Sequence, residues 1–330
     1  LVTPVRAKPN ISAQQAHDDA MARLSEATDS LYQAIPEPDI RLPNAFEAPQ
    51  SNMSQDDYFD MVTRSKAYIE AGDIFQVVVS QRFNIDYDLA AFDLYRALRR
   101  VNPSPYLFFL NMRDFQIVGS SPEVLVGVKD RKVNIRPIAG TRLRGSNAAE
   151  DKAIGEELLA DEKERAEHLM LLDLGRNDVG HVSEIGSVQV NTAFGLQKTS
   201  HLIHIVSDVT GTLLPDCDEI DALVAGFPAG TVSGAPKIRA MEIIDELEPE
   251  RRGVYAGCVG YFSANGDMDT CIALRTALVK DGKLYVQAGG GVVYDSTPEY
   301  EYAETVNKAA ALFRAAEVSL KLASDRKNRS

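Results

Sequence analysis

The chain has 330 residues with 35 Lys and Arg against 48 Asp and Glu, and its formal charge of −13 argues against general nucleic-acid binding. No apolar run approaches the roughly 20 residues of a bilayer span and no charged-then-apolar start reads as a secretory leader, so a cytoplasmic protein is expected. The three cysteines, Cys217, Cys258 and Cys271, are odd in number and lack CxxC spacing, which argues against a disulfide framework and structural zinc and favours three partly buried thiols.

In chain order, Leu1-Val2-Thr3-Pro4-Val5 reads as the end of a strand whose beginning lies upstream, and Ala16, Ala20, Leu24, Ala27 and Leu31 then repeat at helical spacing after Ser12. Pro36, Pro38, Pro43 and Pro49 break regular structure and predict a surface linker, so residues 1–50 are expected to be the remnant of an N-terminal region and 51–330 the main domain. Ser54 caps a helix that Gly72 stops. A strand is predicted over 74–83, a helix over 88–100, strands over 105–111, 115–119, 123–129 and 132–138, and helical structure over 148–178. Strands at 187–197 and 200–211 precede a short helix at 217–225, a Gly-rich loop and a Pro-initiated helix at 236–247. Residues 254–293 read as a three-stranded meander turned at Asn265-Gly266 and Asp281-Gly282, and a helix over 298–322 follows. Strand runs set among helices, without strict βαβ alternation, predict an α+β fold with antiparallel sheets.

Glu164 with Glu167, and Glu301 with Glu304, are carboxylate pairs spaced i, i+3 on one helical face each. Isolated pairs are usually solvated surface, but Glu167 runs straight into His168-Leu169-Met170-Leu171-Leu172, too apolar for an exposed helix. Hard oxygen donors from two separate elements suit Mg²⁺. Gly289-Gly290-Gly291 is open to two readings: a bulge in a strand, or bare backbone N–H groups facing an anion. The Gly230-Thr231-Val232-Ser233-Gly234-Ala235-Pro236-Lys237 loop enters a helix whose N-terminus favours a carboxylate or phosphate, although it lacks the Walker spacing. Arg275, read as lying in an apolar strand, is either an internal ion pair or a clamp on a substrate carboxylate; His204 between Ile203 and Ile205 is a core histidine or a proton carrier. Together these residues describe a site for a small polyanion with one Mg²⁺.

Over residues 54 to 315 the chain resembles the chorismate-utilising enzymes, and among them the large subunits of anthranilate synthase. The resemblance rests on Gly72 to Val78, Asn102-Pro103-Ser104-Pro105-Tyr106, Ile117 to Glu123, Arg136 to Arg142, Glu167 to Leu174 and the Gly230 to Lys237 loop. It implies two mainly antiparallel β-sheets packed as an α/β/β/α sandwich, with 51–330 as a chorismate-binding catalytic domain. It also implies an Mg²⁺-dependent lyase that aminates chorismate at C2 with ammonia and expels pyruvate, the first step of tryptophan biosynthesis. Glu167 and Glu304 would hold Mg²⁺ with Glu301 in support, while Gly140, Thr141, Tyr255, Arg275 and the Gly289, Gly290 and Gly291 backbone would hold the substrate. Glu164 would be the general acid toward the C4 hydroxyl, and His204 and Thr231 would lie beside the ring. Gln76 and Ala139 stand where water-using and lysine-attacking relatives carry lysine; neither can serve as that base or nucleophile, so ammonia is the expected attacker. An aminodeoxyisochorismate synthase, an aminodeoxychorismate synthase and an inactive chorismate-binding fragment are the alternatives. The resemblance further implies a separate glutamine amidotransferase subunit and, through Pro105, Tyr106 and Leu107, half of a site for tryptophan as inhibitor.

Overall fold

The computed structural model describes residues 1–6, 8–33, 48–199 and 202–327. The chain divides into two units, residues 1–40 and 41–330. In the first, helix α1 (Ala13–Tyr32) begins where the Ser12 hydroxyl accepts from the Gln15 N–H, as the spacing predicts. Most of the proline segment lies outside the described residues.

The second unit holds every other element. The Ser54 side chain caps α2 (Gln55–Glu70) in a reciprocal pair with Asp57, which satisfies two otherwise orphaned donors. After β1 (Gln50–Ser51) and α2, the chain forms β2 (Gln76–Asp86), α3 (Ala91–Val101), β3 (Tyr106–Asn111), β4 (Gln116–Ser121), β5 (Val124–Lys129), β6 (Lys132–Ile135) and β7 (Ile138–Leu143). Residues 132–138, expected as one strand, are interrupted at Arg136-Pro137, where proline has no N–H to give the ladder. The helical stretch divides likewise into α4 (Ala148–Ala160) and α5 (Glu162–Gly180), because Asp161 turns extended and accepts from the Lys163 and Glu164 N–H groups. There follow β8 (Gln189–Lys198), β9 (Leu202–Thr212), α6 (Glu219–Gly226), a 3₁₀ turn at Gly230–Val232, β10 (Gly234–Ala235) and α7 (Lys237–Leu247). The last elements are β11 (Cys258–Phe262), β12 (Met268–Ile272), β13 (Thr276–Lys280), β14 (Lys283–Val292) and α8 (Pro298–Lys327).

Two seven-stranded antiparallel sheets result. One runs β1-β2-β14-β13-β4-β3 with β10 beside β2, and the other runs β11-β12-β5-β6-β9-β7 with β8 beside β9. The region expected as a three-stranded meander is therefore four strands shared between both sheets, with the crossing at Ala273–Arg275. Arg275 is thus not in a strand: it sits in that crossing with φ 47°, and its carbonyl accepts from the Ser120 N–H.

Helices α2, α3 and α8 pack on the first sheet and α4, α5 and α6 on the second, an α+β arrangement of two helix-covered sheets. Leu94 and Leu98 of α3 and Leu312 of α8 are fully buried, each worth about 1.5–3 kcal/mol in apolar area withdrawn from water. Val77 and Val79 of β2 pack with Tyr58, Met61 and Val62 of α2 and with Ala240 and Ile243 of α7. A second core gathers Leu125, Val126 and Val133 with Leu172 and Val179 of α5. Opposite faces of β2 and α5 are left to line what lies between the sheets. All three cysteines are free, and Cys258 is exposed where a partly buried thiol was expected. No described helix is long and apolar enough to cross a membrane.

Candidate active site

Between the sheets lies a cleft of about 450 Å³. Its walls bring together residues distant in sequence: Gln76 of β2, Gly140 and Thr141 of β7, Glu164 and Glu167 of α5, His204 of β9, Thr231 of the 3₁₀ turn, Tyr255, Arg275, Gly289 and Gly291 of β14, and Glu301 and Glu304 of α8. Pro105 also lines it. Tyr106 and Leu107 do not line it; they open β3, paired with Ser121 and Ser120, and the Tyr106 hydroxyl donates to Asp269 at 2.9 Å. Gly290 points the other way, toward α8.

The glycine run is neither a bulge nor a free loop. Gly289, Gly290 and Gly291 continue β14 in unbroken register with Ser80, Val79 and Val78. The β13 ladder leaves β14 at Val286, so from Gln287 onward that edge of β14 opens toward the cleft. There the Gly289 carbonyl accepts from Lys308 Nζ at 2.9 Å, and the Tyr255 hydroxyl lies against the Gly289 backbone. Side chains fill the space where β-carbons would stand. A Cβ on Gly289 would lie 2.7 Å from Tyr255 Oη, one on Gly290 2.7 Å from Glu301 Oε2, and one on Gly291 2.7 Å from Gln76 Nε2.

The Gly230 to Lys237 loop also differs from the expected anion nest. Its end pairs with β2 as β10, and Ser233 and Ala235 accept from the Val78 and Phe75 N–H groups. Gly234 has φ 139°, and a Cβ there would meet the Gln76 carbonyl oxygen at 2.2 Å. Pro236 is the N-cap of α7 rather than its first residue. The loop contributes the Thr231 hydroxyl, which donates to Glu123 Oε1 at 2.9 Å.

Charge is concentrated and poorly solvated here. Burial, reinforced by Glu164 and Glu304, raises the Glu167 carboxyl, and burial pushes Glu301 to about 7 with Glu304 adding to the rise. Gln76, nearly inaccessible, donates from Nε2 to Glu167 at 3.4 Å, and its Oε1 has no partner. Among the described residues no three acidic, histidine or cysteine side chains are gathered as a metal cage. Buried carboxylates that raise one another are nonetheless the setting a divalent cation relieves, and Mg²⁺ needs only one or two protein carboxylates. Lys308 Nζ already pairs with Glu304 at 3.2 Å.

His204 accepts or donates at Nδ1 to Thr141 Oγ1 at 3.0 Å. Burial, with Arg275 nearby, lowers its pKa, so the ring is neutral at pH 7. Glu164 is held at 2.8 Å by Arg142, which also grips Asp161 at 2.8 Å. Arg275 is half-withdrawn from water and faces Glu123, the internal charge partner that the sequence left unnamed.

Glu123 is the chief residue that sequence reasoning missed. Burial pushes its carboxyl up to about 7, opposed by the Thr231 hydrogen bond and by Lys308 and Arg275. It stood in view as the carboxylate that precedes the apolar Val124-Leu125-Val126 strand. Lys308, one turn beyond Glu304, was legible in the i, i+4 acid–base spacing.

Residues 8–314 match the chorismate binding enzyme family. The anthranilate synthase component 1 of Cereibacter sphaeroides is 56% identical over 318 residues, 96% of this chain and 64% of that protein. That of Pseudomonas putida is 55% identical over 306 residues, 92% of this chain and 62% of that protein. The crystal structure of anthranilate synthase component I from Streptococcus pneumoniae TIGR4 has a TM-score of 0.82 at 46% identity, covering 91% of this chain and 67% of that one. A putative 2,3-dihydroxybenzoate-specific isochorismate synthase from Bacillus anthracis has a TM-score of 0.72 at 26% identity, covering 86% and 76%. This chain spans a little under two thirds of the length of these curated relatives. The family match over residues 8–314, together with the fold shared with anthranilate synthase component I from Streptococcus pneumoniae TIGR4, places the chain in the chorismate binding enzyme family.

Proposed function

We propose that the cleft binds chorismate and, with ammonia and Mg²⁺, converts it to anthranilate, pyruvate and water. The observation that carries this reading is one cleft holding carboxyl groups raised to about 7 beside the cations Arg275 and Lys308, with an amide, Gln76, where a base for water would have to stand. A dianionic substrate needs the cations; a departing hydroxyl needs a carboxyl that still carries its proton.

Glu167 and Glu304 would hold Mg²⁺, with Glu301 behind them, and the bound ion would supply positive charge to a substrate carboxylate. Arg275 and the open β14 edge at Gly289 to Gly291 hold the anionic groups, helped by Gly140, Thr141 and Tyr255. We assign the proton donor for the C4 hydroxyl to Glu123 rather than Glu164. A carboxyl near 7 still carries its proton in about half of the molecules at neutral pH, whereas Glu164 is tied in an ion pair to the Arg142 guanidinium. Ammonia bonds to C2 as the C4–O bond breaks and the oxygen leaves with the Glu123 proton as water, and the new C2 ammonium returns one proton to the Glu123 carboxylate. Neutral His204 then accepts the C2 proton as the C3–O bond to the enolpyruvyl group breaks and the ring aromatises, and that proton passes to the released enolpyruvate, which becomes pyruvate. Gln76 offers its free Oε1 as an acceptor and cannot deprotonate water. Ammonia is scarce as the free base at neutral pH, so we assign its supply to a separate glutamine amidotransferase subunit. Pro105, Tyr106 and Leu107 are proposed as half of an inhibitory tryptophan site. Cytoplasmic residence goes with this biosynthetic role.

Incubation of the protein with chorismate, Mg²⁺ and ammonium should yield anthranilate and pyruvate in equal amounts. An aminated product that retains its enolpyruvyl group would move the reading to an aminodeoxyisochorismate synthase.

A further inference from the structure

Three cleft elements hang from one residue outside the cleft. Glu248 and Arg252, just beyond α7, form an ion pair at 2.6 Å with side chains 4% and 14% exposed. Glu248 Oε1 also accepts from the Ser80 N–H and hydroxyl of β2, both at 2.8 Å, and Ser80 Oγ accepts from Gln287 of β14. With one edge fixed by this carboxylate, the guanidinium reaches in two further directions. Nη1 donates to the Val232 carbonyl and Nη2 to the Val78 carbonyl, each at 2.6 Å. Its central carbon lies 5.4 Å from the centre of the Tyr255 ring.

Val232 directly follows Thr231, whose hydroxyl rests on Glu123, and Val78 lies two residues beyond Gln76. Tyr255 in turn lays its hydroxyl against Gly289 at the open strand edge. A buried ion pair contributes little net stability once its desolvation is counted, so what this one supplies is direction. Lysine could not replace it: a compact ammonium cannot meet a carboxylate and two diverging carbonyls in one plane.

We propose that Arg252 is a positioning residue for the reaction, holding the Thr231 hydroxyl on Glu123 and the Tyr255 ring against the β14 edge without touching the substrate. The proposal rests on the reading of Glu123 as proton donor. It is tested with Arg252→Lys and Arg252→Met, beside Thr231→Val, by following kcat and KM for chorismate at saturating ammonia, the pH profile of kcat, and thermal stability. R252K keeps the charge and the fold, while kcat falls about 10- to 100-fold from misplaced groups.

The pH profile separates positioning from mere support. Thr231 donates to the charged form of Glu123, so its withdrawal raises that carboxyl, and the alkaline limb of kcat moves to higher pH. The other charged groups facing Glu123, Arg275 of the crossing and Lys308 of α8, are untouched by the substitution. T231V should move the limb the same way, and the double variant should add nothing to the limb shift. An R252K protein with an unmoved limb, with limb shifts that add to those of T231V, or with no stable fold overturns the proposal. If the unsubstituted protein makes no product, the functional reading fails separately; calorimetry of chorismate with Mg²⁺ then decides the Tyr255 arm. Binding about tenfold weaker in R252K supports that arm, and equal affinity overturns it.

Discussion

Replacing Glu123 with glutamine should make the protein less active and, at alkaline pH, more stable. The native carboxyl holds its proton to about 7, whereas in the unfolded chain it releases it near the ordinary 4.5. Between those values the native state binds more protons than the unfolded one, so stability at this site falls as pH rises and stays reduced above 7. The displacement corresponds to about 3 kcal/mol. Glu123→Gln has no charge to bury and escapes that loss. The stability of the variant minus that of the parent should therefore be constant below pH 4.5, grow through the window to 7, and remain about 3 kcal/mol larger beyond it, a gap in Tm that widens by roughly 6 °C. Thermal melts at pH 4 and pH 8 read this directly. The same substitution removes the proposed proton donor and should lower kcat about 10²- to 10⁴-fold. A Tm gap independent of pH, or a kcat within a few-fold of the parent, would refute the reasoning.

Four further outcomes follow from the site. Glu304→Ala should weaken Mg²⁺ binding at least tenfold by calorimetry. In the parent that affinity should fall with acidity at a pH above the ordinary carboxylate range, because the ligands bind deprotonated and burial holds Glu167 up; pH-independent affinity would speak against these ligands. Gly290→Ala places a Cβ 2.7 Å from Glu301 Oε2 and 3.4 Å from both the Glu301 carbonyl and Glu304 Oε2, so activity should drop roughly tenfold or more while the fold, read by circular dichroism, persists. The His204 ring, followed by NMR, should titrate with a midpoint below 6.5; a midpoint above it would contradict the burial and the Arg275 charge invoked here.

What the sequence conveyed depended on whether the signal was local. The Ser54 cap, the period of α1 and the Glu164–Glu167 and Glu301–Glu304 faces are written in residues within one turn of each other. The break at Arg136-Pro137 was equally local and was passed over, because apolar residues on both sides kept the strand pattern. The crossing of Ala273–Arg275 between sheets was not legible: the apolar residues on both sides of Arg275 read as one continuous strand, and its division into β12 and β13 is settled by their partners β5 and β4 in different sheets. Gly289 to Gly291 show the same limit. Their small size is explained by Tyr255, Glu301 and Gln76, which the fold and not the local sequence pattern sets against them. Glu123 escaped notice because a carboxylate at a strand start is ordinarily solvated, and the burial that withdraws it from water, with Thr231 at its side, is assembled by residues distant in sequence.

The central claim is tested most directly by mixing the protein with chorismate, Mg²⁺ and ammonium at mildly alkaline pH and following anthranilate fluorescence and pyruvate together, in parallel with Glu304→Ala. Equal amounts of both products from the parent and neither from the variant are expected. Chorismate left unconsumed by the parent, or turnover undiminished in Glu304→Ala, would contradict the account.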